Sequence, residues 1–157
     1  MRRCIAAGMG AWLCACSSSG SAPSVAGVQA FVGTWVRSGT IVITCPGQPA
    51  TTDLLTGNLT IAVSPAGSTS LIAAMQPNGC VTDYTVSGNV ATEVAGQSCS
   101  TTNDAGLQTV LTNRTHTLTL SADGHTITES GLGVLAETKN GAIINCPDES
   151  SGTFAKQ

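Results

Sequence analysis

Thr115-His116-Thr117-Leu118-Thr119-Leu120, then Ser121-Ala122-Asp123-Gly124, then His125-Thr126-Ile127-Thr128-Glu129, reads as a strand, a turn and a returning strand. In the first six residues the threonines alternate with His116, Leu118 and Leu120. Side chains on a strand point to opposite faces with period two, so one face is hydroxylic and the other carries the two leucines and the histidine. Asp and Gly at the turn supply the side-chain acceptor and the backbone freedom that a tight reversal needs.

Working outward, the same pattern recurs. Short runs rich in β-branched residues occupy positions 33–37, 40–45, 58–63, 69–75, 81–86, 90–94, 107–111, 132–138 and 142–146. They are separated by Ser64-Pro65-Ala66-Gly67, Ser87-Gly88-Asn89 and Lys139-Asn140-Gly141, all turn chemistry. Positions 107–111 and 115–120 read as two strands or as one long bent strand, and 98–105 as a polar loop. A three-residue loop at Ser87-Gly88-Asn89 sets Val86 against Val90, with Tyr84, Val86, Val90 and Val94 on one face. Asp83, Thr85 and Glu93 then take the other face. Only 10% of the chain is charged, whereas soluble helices carry charged outer faces, and helical periodicity is absent. The expected fold is all-β: one antiparallel β-barrel or β-sandwich of roughly 8–10 short strands.

The N-terminus gives an address. Arg2 and Arg3 precede an uncharged run from Cys4 to Leu13, too short for the roughly 20 residues that cross a bilayer and of the length of a signal-peptide core. Leu13-Cys14-Ala15-Cys16 resembles a bacterial lipobox, which implies cleavage before Cys16 and diacylglycerol on its thiol. Cys14 departs from the usual residue at that place, and ordinary secretion with cleavage near Ala22 is the alternative. The chain then divides into a signal peptide (1–15), a lipidated flexible tether rich in Ser, Gly, Ala and Pro (16–30) and a β domain (31–157). Ser17 lacks the inner-membrane retention signal associated with Asp at that position, so the resemblance implies outer-membrane sorting.

Without residues 1–15 the basic side chains are Arg37, Arg114, Lys139 and Lys156, against nine acidic ones, a net charge near −5. That sign argues against nucleic acid or anionic lipid as a partner. Of seven cysteines, Cys4 and Cys14 leave with the signal and Cys16 takes lipid, which leaves Cys45, Cys80, Cys99 and Cys146. An even number in an exported chain implies two disulfides, with three connectivities open. The 81–94 hairpin brings Cys80 and Cys99 near each other once the chain bends at Gly96-Gln97, which leaves Cys45 with Cys146. A Cys4 zinc site would need close-spaced cysteine pairs, and no C-x2-C pair is present.

Gly33-Thr34-Trp35 resembles the Gly-x-Trp signature of the lipocalins. The resemblance implies a Trp packed across the closed end of an eight-stranded barrel whose open end takes an apolar ligand. That family's Arg over the Trp has no visible counterpart. Thr82-Asp83-Tyr84 has the letters of its second motif but lies nearer the middle of the chain.

Catalytic machinery is not visible. His116 and His125 are the only histidines, no Gly-x-Ser-x-Gly elbow occurs, and the parity of His116 suits a structural role. A two-histidine metal site would need a third ligand, for which Glu129 is the one carboxylate near both in sequence. Asp148 and Glu149 read as part of a polar turn and Asp104 as part of a loop. Phe31, Trp35, Tyr84 and Phe154 are the large aromatics beyond the signal, too few for sugar platforms. Asn58-Leu59-Thr60 and Asn113-Arg114-Thr115 match the glycosylation sequon, which a bacterial-type signal makes a chance match. The expectation is a non-enzymatic, lipid-anchored envelope protein, without metal or cofactor, acting as a binding or interaction module. A lipocalin-like carrier of a small apolar ligand and a secreted hydrolase with an unrecognised site are the rivals.

Overall fold

The computed structural model describes residues 27–65, 71–76, 79–102, 108–139 and 142–157. The signal, Cys16, Asp104 and most of the tether lie outside them. Among the described residues a single helical turn, α1 (Val28–Phe31), is followed by nine strands. These are β1 (Gly33–Ile43), β2 (Thr51–Val63), β3 (Leu71–Met75), β4 (Val81–Ser87), β5 (Val90–Glu93), β6 (Ser98–Thr102), β7 (Gln108–Leu120), β8 (Thr126–Lys139) and β9 (Ala142–Lys156). Each hydrogen-bonded neighbour is antiparallel, in the order β5-β4-β3-β2-β1-β9-β8-β7-β6. A further pairing of β5 with the second half of β7 closes this sheet on itself. The result is an eight-stranded antiparallel barrel, with β6 added to the first half of β7. Of barrel and sandwich, the barrel is the fold.

The strand–turn–strand at 115–129 is the β7–β8 hairpin, with Leu120 opposite Ile127. Thr126 N–H donates to Ser121 Oγ, and the Asp123 carboxylate accepts from both Ser121 Oγ and His125 N–H, so the turn's own side chains hold it shut. Positions 108–120 form one strand whose register shifts between Asn113 and Thr115, a bulge that bends it enough to serve two neighbours.

Three expectations need correction. Residues 98–102 are strand β6 rather than loop, because they find the unpaired edge of β7. Asp148 and Glu149 lie within β9 rather than in a turn, opposite Gly133 and Leu132. Val28, at the end of the segment read as tether, is buried together with Phe31 of α1. The 81–94 hairpin has a two-residue loop: Ser87 pairs with Val90, Val86 with Ala91 and Tyr84 with Glu93. Gly88, at φ +62°, supplies the left-handed conformation that such a loop demands. One residue of slip moves a strand's side chains to the opposite face, so Glu93 joins Tyr84 on the inner face.

The two ends of the barrel differ. At one, Phe31, Trp35, Ile61, Ile72, Leu118, Leu120, Ile127 and Phe154 form a continuous buried cluster. The Trp35 indole N–H donates to Phe31 O at 2.9 Å, which ties α1 over this end as a plug. Lys156 Nζ lies 5.2 Å from the Trp35 ring. Thus a lysine from the last strand, not an arginine, covers the tryptophan. At the other end lie both disulfides. Cys45 and Cys146 are 4.3 Å apart between Cα atoms, on the continuation of the β1–β9 pairing beyond Ile43–Asp148. Cys80 and Cys99 are 5.9 Å apart, joined around a turn at which Gly96 has φ +84°. Both expected pairings are present.

Candidate ligand pocket

Along each strand the inner face is apolar near the Trp35 end and polar further up. On β1 the inward residue after Trp35 is Arg37; on β8 Glu129 follows Ile127; on β7 His116 lies above Leu118 and Leu120. Neighbouring strands bring these three together. Arg37 donates from Nε to Glu129 Oε2 at 2.9 Å, and its Nη2 bonds Glu129 Oε1. His116 Nε2 lies 2.9 Å from the same Oε1, and His116 Nδ1 lies 2.8 Å from the Tyr84 hydroxyl. The carboxylate next to Nε2 draws the ring proton there, and in the neutral imidazole that leaves Nδ1 as the acceptor and Tyr84 O–H as the donor. The line runs Tyr84, His116, Glu129, Arg37.

Electrostatics follows from burial. Glu129 is 2% exposed. Desolvation pushes its carboxyl up, but the His116 bond and the Arg37 guanidinium outweigh that and hold it below its ordinary value. Tyr84 is pushed up, first by burial and then by the Glu93 and Glu129 carboxylates, so its hydroxyl keeps its proton. The Arg37 guanidinium also lies 5.5 Å from the centre of the Phe154 ring, a cation–π contact at the foot of the polar zone.

A second polar layer sits beyond His116. Asn113 Nδ2 donates to Glu93 Oε2 at 2.7 Å, and Glu93 is 4.0 Å from His116 Nδ1. Burial pushes Glu93 up, more than Asn113 and His116 pull it down. Asp148 is 6% exposed, its Oδ2 makes no hydrogen bond, and burial raises its carboxyl as well.

Glycines make room for these side chains. Gly131 pairs with His116 on one side and Ser150 on the other, and a Cβ there would lie 2.4 Å from His116 Cδ2. Gly133 does the same beneath Asp148, whose Oδ2 would be 2.7 Å from such a Cβ. Without a side chain at Gly131 the imidazole packs directly against β8.

Below this network lies a partly open cavity of about 230 Å³. Its apolar wall includes Leu55, Leu59, Leu118 and Phe154. Its polar wall is the Tyr84, His116, Glu129 and Arg37 line. Strand β3 pairs with β2 only from Thr60 to Val63, so residues 55–59 run past the end of β3 and the cavity meets Gln76 there. Eight strands enclose an interior that side chains fill or that holds one small ligand; here the buried cluster fills the Trp35 end and the cavity remains between it and the polar line.

Of the residues singled out from sequence, His116 and Glu129 meet, while His125 is exposed in the turn and takes no part. The conjectured two-histidine metal site therefore does not form. No group of three or more His, Cys, Asp or Glu able to hold a metal occurs among the described residues. Of the sequon residues, Asn113 faces inward and bonds Glu93. Arg37, Tyr84, Glu93 and Asp148 were not read as site residues. The signal that could have found Arg37 is its parity with Trp35, two residues earlier on β1. In comparisons with known proteins, no family model matches this chain and no curated protein matches it.

Proposed function

We propose that this protein is a non-enzymatic carrier of a small ligand, a lipocalin-like barrel held at the bacterial outer membrane by lipid on Cys16. One observation carries the reading: a partly open cavity of about 230 Å³ in the barrel interior, above a closed, Trp35-plugged end. An engineered apolar cavity of about 150 Å³ holds benzene, so this one suits a single ring or a short chain. Binding pockets combine a mostly apolar lining with a few placed polar groups, and the lining here has that composition. The Trp35 plug, the Lys156 cover and the up-and-down strand order support the lipocalin-like reading over a surface-interaction role. Ser17 supports outer-membrane sorting and Leu13-to-Cys16 supports the anchor.

A hydrolase is the second reading, favoured by the Tyr84, His116 and Glu129 line. Tyr84 speaks against it. His116 Nδ1 is placed to take its proton, but burial and two carboxylates make this phenol harder to ionise, the opposite of an activated nucleophile.

Titration of the full chain with 4-(dimethylamino)benzonitrile, an uncharged single-ring dye whose emission depends on polarity and whose size the cavity can hold, tests the carrier. Dye fluorescence should rise saturably at one site, and Leu55→Trp, which places an indole in the cavity wall, should abolish the rise while leaving the melting temperature within a few degrees. A rise that Leu55→Trp does not affect, or no rise at all, overturns the reading.

A further inference from the structure

Resting on the carrier reading, we infer that the ligand is uncharged and bears one oxygen: a small alcohol, aldehyde or ketone on a hydrocarbon body, with ionised acids and amines rejected. The charges of the wall already cancel. Arg37 spends two N–H groups on both oxygens of Glu129, and His116 gives that carboxylate a third donor. Carboxylate ligands would have to compete with Glu129 for Arg37, in a forked geometry that is hard to better. An ammonium would meet a carboxylate whose oxygens are already engaged. Either ion would leave water for a site that offers no uncompensated opposite charge, and an unpaired buried ion is costly.

A neutral oxygen fits what remains. A guanidinium has five N–H groups, so three of those on Arg37 are not used by Glu129, and the side chain is part of the cavity wall. Tyr84 commits its hydrogen to His116 and keeps oxygen lone pairs, so it can accept a hydrogen bond from an alcohol. Leu55, Leu59, Leu118 and Phe154 receive the hydrocarbon. A cavity of about 230 Å³ limits the whole to about a dozen non-hydrogen atoms.

Four compounds of nearly equal size form the test: benzyl alcohol, benzaldehyde, benzoate and benzylamine, each competing at pH 7 with 4-(dimethylamino)benzonitrile on the full chain. Benzyl alcohol and benzaldehyde should displace the dye at concentrations at least tenfold below those needed for benzoate or benzylamine. Tyr84→Phe should weaken benzyl alcohol several-fold and leave benzaldehyde unchanged, because only the alcohol donates to the phenol oxygen. Benzoate or benzylamine displacing as well as the neutral pair overturns the ligand class while the carrier reading survives. Equal weakening of alcohol and aldehyde by Tyr84→Phe overturns the role given to Tyr84. Failure of the dye to bind overturns the carrier reading and this inference with it.

Discussion

Glu129 receives N–H groups from Arg37 and His116, whereas Asp148, two rows higher on the same inner wall, has an oxygen with no donor at all. This asymmetry makes stability depend on pH with two opposite signs. Glu129 is held below its ordinary value of 4.5, so its contribution is complete above that value and is lost as pH falls through the folded one. Asp123, lowered by Ser121 and by the His125 N–H, has the same sign. Glu93 and Asp148 are raised above their ordinary values of 4.5 and 3.8. Over the window above those values the folded chain holds the extra proton, so stability falls as pH rises. Stability should therefore peak close to pH 4–4.5. Urea midpoints measured from pH 3 to pH 7 decide it: a midpoint that climbs steadily to pH 7 contradicts the assignment. Asp148→Asn should flatten the decline above the peak.

Strands and their hairpins carry the next level of constraint. Gly131→Ala would put a methyl group 2.4 Å from His116 Cδ2 and 2.7 Å from Ser150 Oγ. The imidazole cannot swing aside without losing Tyr84 or Glu129, so a cost of about 1–3 kcal/mol is expected. Gly27→Ala, with nothing within 4 Å of the added methyl, should be nearly neutral; equal melting temperatures for the two variants would refute the packing argument. The disulfides differ by loop length. Cys45–Cys146 spans 101 residues and Cys80–Cys99 spans 19. In the chain-entropy model their removal costs about 4.7 and about 3 kcal/mol, so the double Ser variant of the first pair should show the lower urea midpoint. Much of this level was legible from residue types. Alternating Thr and Leu at 115–120 gave the inner face of β7 and with it His116, and cysteine counting plus one hairpin gave both bridges. The hairpin at 87–90 shows where such reading stops. Whether the loop takes two residues or three depends on a backbone angle at Gly88, and that choice alone decides whether Glu93 faces solvent or the barrel interior. Residue types also do not reveal which strands become neighbours, so Arg37 and Glu129, 92 positions apart, had no local pattern to link them.

For the molecule as a whole, the position of the closed end relative to the chain termini matters. Strand β1 begins at the Trp35 end, and α1 and everything before it attach there. The cavity lies on the far side of the buried cluster from that attachment. A tether leading to lipid on Cys16 would thus hold the barrel by its plugged end and leave the pocket mouth away from the anchor. About ten residues separate Cys16 from α1. Stable anchoring needs two or three acyl chains, which a lipidated N-terminal cysteine carries. Cell fractionation and intact mass test this together. The wild-type chain should sediment with membranes and have the mass of a polypeptide starting at Cys16 plus acyl groups. Cys16→Ser should abolish the acylated species and move the protein from the membrane fraction or stall it unprocessed. A soluble wild-type product that begins after Ala22, with residue 16 removed, would leave the barrel and its pocket intact but free it from the membrane, and would turn the anchored carrier into a secreted one.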